Sequence, residues 1–489
     1  MSAHFLAVDL GAETGRAIVG QLRSGVLTLN EVHRFHNEPV RWNGTLQWDI
    51  LRLWLEVRRG LEAAAGTRLA SVGVDAWGVD YALLGERGNL LENPYHYRDA
   101  RNTGMMEAVF ERVSREKIYA VTGIQFLQIN TLYQLFAACR STPSLVDAAS
   151  SLVTIPDLFN YWLSGELASE YTVATTTQFV DATARTWATR LLSEIGLPTR
   201  LLTPIVQPGS VLGTVQPAAS ERASGTPVIL PACHDTASAV ASVGGGPSSA
   251  FISSGTWSLL GTELPAPVLT PKARDLNFTN EGGIGGTVRL LKNIGGLWLL
   301  QSCRRSWAAD GKRYEYAELL EAAADEGLAF RSLVDPDHSA FLNPDSMPAA
   351  IAAYCRRTGQ PEPAAPPAYA RTILESLAFK YRMVLEALED VAGTRFKEIR
   401  IVGGGSRNPL LNQFTANATG RQVIAGPIEA TALGNIAMQM LATGAVSSLA
   451  EARQVVERSF PVERFEPQSA DRWDAQYRRF ANYMEVTFV

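Results

Sequence analysis

The chain predicts an α/β protein of two domains, and three stretches carry that prediction. Phe5 to Val8 reads as a buried strand that passes through a glycine-bearing turn, Asp9 to Arg16, into a second strand, Ala17 to Leu22. Val228 to Leu230 reads as a short strand running into a small, apolar helix, Thr236 to Val243. Glu398 to Val402 reads as a strand that delivers Gly403-Gly404-Gly405 to a helix beginning near Asn408.

The elements follow in order. After the first hairpin, Val26 to Arg34 and Leu69 to Val74 are strand candidates, and between them Asp49 to Gly60 sets Ile50, Leu51, Leu53, Trp54 and Val57 at helical spacing. The clearest punctuation is Gly244-Gly245-Gly246-Pro247, so the domain boundary is expected there, dividing residues 1–243 from 244–489. Beyond it, Ala250 to Ser254, a turn at Gly255-Thr256-Trp257 and Ser258 to Thr262 repeat the strand, turn, strand order of the chain's start, as a distant internal duplication would. The proline-rich segment Pro361 to Pro367 reads as a stiff entry to a long helix whose apolar face runs from Ile373 through Leu388 and ends near Gly393. Asn408 to Thr419 and Glu429 to Leu441 complete the helices.

Composition narrows the function classes. A chain of 489 residues that is 46% hydrophobic can bury a large core, and a net charge of -5 argues against a surface strongly attractive to nucleic acid or anionic membrane. No apolar run reaches the roughly 18 residues of a membrane span, and the start MSAHFLAVDLG lacks the segments of a secretory signal. Cytoplasmic residence is therefore expected. Cys139, Cys233, Cys303 and Cys355 lack CxxC spacing and read as reduced thiols, while the six histidines show no HExxH pair, so no protein-bound transition metal is expected.

Chemistry concentrates at the glycine turns and at one carboxylate. The turns at 11–15, 255 and 403–405 can each bring backbone N–H groups close to a phosphate or a base, although glycine turns also serve structure alone. Neither GxxxxGK[ST] nor GxGxxG is present. Asp235 stands where a strand becomes a helix, where the helix dipole favours an ionised carboxylate. That place suits a general base, and it also suits an ordinary helix cap.

These motifs together resemble the FGGY carbohydrate kinases of the actin-like ATPase superfamily. The resemblance rests on VDLGAETGR at 8–16, SVGVDAWGVDYALL at 71–84, YRDAR at 97–101, GIQFLQINTLYQL at 123–135, EYTVATTTQ at 170–178, HDTASAV at 234–240 and SSGTWSLLG at 253–261. It continues in NEGG at 280–283, LLKNIGGLWLLQ at 290–301, FLNPDSM at 341–347, IVGGGSRNPLLNQ at 401–413 and IAGPIEATALGNI at 424–436. Two departures stand out. Glu13-Thr14 occupies places where many relatives carry hydroxyl residues, and Tyr133-Gln134 replaces a lysine-containing pattern of other branches.

The resemblance implies two actin-like, ribonuclease H-like domains with a catalytic cleft between them, closing about Gly244 to Pro247 when ketose and ATP are both bound. It implies a monomer or small homo-oligomer whose partners are a ketose and ATP, with no nucleic acid or membrane. Within the family the motifs resemble the branch that phosphorylates L-rhamnulose at its 1-hydroxyl in rhamnose catabolism; L-fuculose or D-xylulose are the alternative acceptors, and a nucleotide switch or sugar sensor is the alternative class. Carried over by motif, Asp235 is the base, and Gly78, His234, Asp235, Thr236 and Asn293 contact the sugar. Ala12, Glu13, Thr14, Gly15, Arg16 and Thr256 face the phosphates, with Gln301 and Gly404 on the nucleotide side. Asp9 helps place Mg²⁺, binding the ion directly or through water, or else shapes its turn. Trp77 and Trp298 stand as sugar-site walls or as core.

Overall fold

The computed structural model describes residues 2–244, 246 and 248–485. Gly245 and Pro247 of the expected boundary segment lie outside the described residues. The chain packs as two compact units, one formed by Met1–Gly244, Glu263–Leu290 and Glu429–Pro461, the other by Gly245–Thr262, Leu291–Ile428 and Val462–Val489.

In the first unit, β1 (Ser2–Leu10), β2 (Thr14–Arg23) and β3 (Val26–His36) form an antiparallel meander. β4 (Ser71–Ala76) joins β1 in parallel, and β5 (Val211–Thr214) and β6 (Pro227–Ile229) extend the sheet in the order β5-β6-β4-β1-β2-β3. The helix Ile50–Ala64 begins as its sequence requires, with the Asp49 side chain accepting from the Arg52 N–H at 3.2 Å. One face of the sheet buries Phe5, Ala7, Ile18 and Leu27 against Leu433, Ile436 and Met440 of the helix Ala430–Ala442 and against Val455 and Val456 of Leu449–Ser459. Burying apolar side chains of this size contributes roughly 1.5–3 kcal/mol each, which fastens this late segment to the first sheet.

The second unit repeats the plan. β7 (Ser249–Ser254) and β8 (Trp257–Leu264) form a hairpin, with β9 (Val288–Gly295), β10 (Glu398–Val402), β11 (Gln422–Ala425) and β12 (Glu463–Phe465) in the order β9-β8-β7-β10-β11-β12. β10 lies parallel to β7 as β4 lies parallel to β1. The long helix spans Pro366–Ala392, starting inside the proline-rich segment, because proline suits a helix's first turn, and ending on Gly393 at φ 65°.

Candidate active site

Asp9 is the last residue but one of β1 and faces Arg16 of β2 across the hairpin. Both Nε and Nη2 of Arg16 donate to Asp9 Oδ2, at 3.0 and 2.8 Å, while Nη1 meets Glu429 Oε2 at 2.5 Å. Burial works against the Arg16 cation, yet Asp9 and Glu429 outweigh it and raise the pKa. The fork expected to meet phosphate is thus held by two carboxylates. The turn itself closes by Gly11 N–H donating to Thr14 O at 3.0 Å, and Asn37 braces it through Gly11 O and Glu13 O. Ala12, Glu13 and Thr14 remain partly open, whereas Gly15 is required by packing: a Cβ there would stand 2.2 Å from the Phe35 ring.

A second carboxylate lies beside Asp9. Asp75 of β4 is its register partner on the neighbouring parallel strand and is fully buried. Asn435 donates to Asp75 Oδ2 at 2.6 Å, but Oδ1 has no hydrogen-bond partner. Burial pushes the Asp75 carboxyl well up, and Asp9 adds to the rise.

Asp235 opens the helix Asp235–Ser242, and the cap position belongs to His234. Asp235 Oδ1 accepts from the N–H and the hydroxyl of Thr236. The expectation of a helix start that favours the ionised form is corrected here. Burial pushes the Asp235 carboxyl above the ordinary aspartate range despite the His234 ring, Asp9 adds to the rise, and the Thr236 donors only partly offset it. The side chain keeps 31% of its exposure, which leaves one side accessible.

The approach to Asp235 is locked by Glu170, which is fully buried. Its carboxylate accepts from the N–H groups of Thr172, Val173 and Cys233, and the Thr172 hydroxyl accepts from His234 N–H at 3.3 Å. His234 also touches Glu281 and Arg289, a buried ion pair 3.1 Å apart. Burial opposes the Glu281 charge, and Arg289 and His234 hold its carboxyl below the usual range.

Gly78 sits on a strained turn. A Cβ at 78 would lie 2.9 Å from Thr176 Oγ1, and the next residue, Val79, has φ 66°, a costly conformation for a β-branched side chain. Val79 is held there by its N–H to Thr176 Oγ1 and by Thr131 and Gln134 donating to its carbonyl. Beside it, Asp80 accepts from Trp48, Trp77 and Gln134, and burial pushes its carboxyl up to about 6. Trp77 is therefore a packed wall with its indole N–H fixed at 3.0 Å.

The second unit gathers the remaining residues. Thr256 lies in the β7–β8 turn, and its carbonyl accepts from Trp298 N–H at 3.1 Å. This turn rests on Gly296, where a Cβ would meet Thr256, Trp257 and Ser258 backbone at 2.6–2.8 Å. Gln301 lies on the helix Trp298–Ala309, with its buried Oε1 lacking a hydrogen-bond partner. Trp298 is tied to Phe341 O at 3.2 Å. Gly403 and Gly405 crowd Ser254, whereas a Cβ at Gly404 would meet nothing within 4 Å, leaving that stretch of backbone open to a flat ligand. Asn293 is half-buried on β9 next to Lys292, whose ammonium burial and Lys380 bring down to about 8.

Residues 4–242 match the N-terminal domain of the FGGY family of carbohydrate kinases, and residues 250–443 match its C-terminal domain. The chain belongs to this family. A rhamnulokinase of Bacteroides thetaiotaomicron is 45% identical over 487 residues, covering 99% of this chain and 99% of that protein. One of Oceanobacillus iheyensis is 43% identical over 458 residues, covering 93% and 96%. In fold, the FGGY chain resembles ligand-bound xylulose kinase of Lactobacillus acidophilus, with TM-score 0.79 at 17% identity over 99% of this chain and 97% of that one. Plasmodium falciparum glycerol kinase with ADP gives TM-score 0.77 at 16% identity, covering 100% and 98%. As an FGGY member the chain is a sugar kinase that uses ATP.

Among the described residues, no cluster of three or more His, Cys, Asp and Glu side chains is arranged to hold a metal, and no helix is long and apolar enough to cross a membrane. Two neighbouring carboxylates, one with an unpartnered oxygen, match the donor set of a cation that keeps most of its water. The first unit brings together Asp9, the 12–16 turn, Gly78 and the HDT residues, while Asn293, Thr256, Gln301 and Gly404 belong to the second. Sequence reasoning missed Asp75, Glu170, Glu281, Arg289 and Glu429. Asp75, Glu170, Glu281 and Glu429 lie inside the motifs at 71–84, 170–178, 280–283 and 424–436 without being singled out there, Asp75 also standing out as a carboxylate inside the apolar run SVGVDA, and Arg289 lies in none of them.

Proposed function

We propose that this FGGY kinase transfers the γ-phosphoryl group of ATP to the 1-hydroxyl of L-rhamnulose, giving L-rhamnulose 1-phosphate and ADP. The observation that carries the substrate is the 45% identity to a rhamnulokinase along 99% of both chains.

In this reading Asp235 accepts the proton of the primary hydroxyl as its oxygen bonds to the γ-phosphorus and the bond to the β–γ bridging oxygen breaks, releasing ADP. A carboxyl raised by burial is better matched to that task than an ordinary aspartate, provided it is ionised at the working pH. His234, Thr236, Gly78 and Asn293 orient the ketose; fixed orientation is worth much of the barrier in phosphoryl transfer. Ala12 to Arg16 and Thr256 receive the phosphates, Arg16 exchanging part of its hold on Asp9 and Glu429 for phosphate oxygens. Gln301 and the open backbone at Gly404 receive the nucleoside. Asp9, directly or through water, with Asp75 beside it, would hold Mg²⁺, whose positive charge would compensate the phosphate oxygens.

The test is an ADP-release assay across L-rhamnulose, L-fuculose, D-xylulose and glycerol. L-Rhamnulose is expected to give the highest kcat/KM, by at least about tenfold, because a mismatched hydroxyl leaves buried polar groups unpaired. A higher kcat/KM with any other acceptor overturns the assignment.

A further inference from the structure

His234 is packed against two groups that this mechanism does not use. Its Nδ1 lies 3.2 Å from Arg289 Nη2 and 3.2 Å from Glu281 Oε2. His234, Arg289 and Glu281 are 7%, 1% and 4% exposed. Arg289 is itself anchored, its Nε donating to Gly282 O at 3.0 Å, and Gly282 N–H is bound by the Thr175 hydroxyl at 2.8 Å. On the other side of the ring, Nε2 stands 3.5 Å from Asp235 Oδ1.

The ring proton has two possible places, and the neighbours choose between them. A guanidinium has donors only, so Nη2 can bond Nδ1 only if Nδ1 presents a lone pair. Glu281 would choose the opposite, accepting from a protonated Nδ1. The Arg289 contact has hydrogen-bond geometry, whereas the Glu281 Oε2 contact to the ring does not, and the charge of Oε2 is already met by Arg289 Nη2 at 3.1 Å without a ring proton. The geometry favours a proton on Nε2, facing Asp235.

We propose that Arg289 is a positioning residue that fixes His234 as its Nε2–H tautomer, so that His234 presents a hydrogen-bond donor beside Asp235 to an oxygen of the acceptor sugar. The second half rests on the reading of His234 as a sugar contact. With its Nδ1 lone pair engaged and its Nε2 protonated, His234 is a donor, and of the two Asp235 is the base. The donor favours an acceptor sugar with a carbonyl, ring or hydroxyl oxygen lone pair next to the reacting hydroxyl.

The test uses the full chain labelled with ¹⁵N in its histidine rings, the His234 signals being assigned by their loss in His234→Gln. Wild type is expected to show an unprotonated Nδ1 and a protonated Nε2 at mildly alkaline pH, and a protonated Nδ1 overturns the proposal. In Arg289→Met/Glu281→Leu, which removes both charges together, the ring is expected to lose its single tautomer and the ketose KM to rise about tenfold with the ATP KM unchanged. Arg289→Lys, which keeps a donor, is expected to restore the tautomer; an unchanged ring in the double variant overturns the role of Arg289. An unchanged ketose KM in His234→Gln overturns the sugar contact, while the wild-type ring signals still decide the tautomer.

Discussion

The two hairpins β1–β2 and β7–β8 share a scaffold and differ in chemistry. Each is an antiparallel pair with a parallel strand alongside, β4 or β10. The first turn is charged, with Asp9 locked to Arg16, Asp75 on the adjacent strand and Glu429 closing the group. The second pairs Ser254 with Ser258 and is surrounded by Gly296, Gly403 and Gly405, where side chains would collide with backbone or Ser254. One scaffold thus serves two ends: the first manages charge, and the second brings bare backbone close to a ligand.

The sharpest way to break this contrast is at the base beside the charged turn. Asp235→Asn keeps the shape and removes the proton acceptor, so kcat is expected to fall about 10³-fold while the ketose and ATP KM values change little. Near-normal turnover in the ADP-release assay would remove Asp235 from the chemistry. Next in size is Asp9→Asn, expected to lower kcat by about 10² and to raise the Mg²⁺ concentration needed for half-maximal activity. Thr256→Val in the second turn is expected to raise the ATP KM alone. Equal shifts in Mg²⁺ requirement for the two variants would erase the division between the turns.

The sequence made local order legible and left long-range pairing hidden. The helix ending at Gly393 and the strand Glu398–Val402 follow from spacing and punctuation, since an apolar stripe and a left-handed glycine are determined within a few residues. The HDT and glycine motifs were legible as a resemblance. The environment of Asp235 was not. A helix start alone argues for an easily ionised carboxylate, whereas burial and Asp9, brought in by the sheet, reverse the direction. Arg289 lies outside every motif, and Glu281, though inside NEGG, has nothing in its local pattern that points to His234. Asp80, likewise, draws its donors from Trp48, Trp77 and Gln134, which only the fold assembles.

A smaller effect separates the glycines within the second turn's surroundings. A Cβ at 405 would come within 2.0 Å of Ser254 Oγ, whereas at 404 it would meet nothing within 4 Å. Gly405→Ala is expected to cost about 1–3 kcal/mol of stability, read as a lower Tm. Gly404→Ala is expected to leave Tm unchanged and weaken ATP binding. If both variants melt alike, the open backbone at Gly404 is not a ligand surface distinct from the packing beneath it.

The finest distinction is in pH. Asp235 must be ionised to accept a proton, and its pKa is raised, so kcat/KM is expected to fall as pH drops through a value above the ordinary aspartate range. The Thr236 hydroxyl donates to Asp235 Oδ1 at 3.2 Å, a bond that favours the charged carboxylate. Thr236→Val removes that bond, so the acid limb should move further up. Thr256→Val, changing the uncharged turn, should leave it in place. Since a third of the Asp235 side chain still meets water, the Thr236 shift is expected to be small, and a shift downward would contradict the assignment of the limb to Asp235.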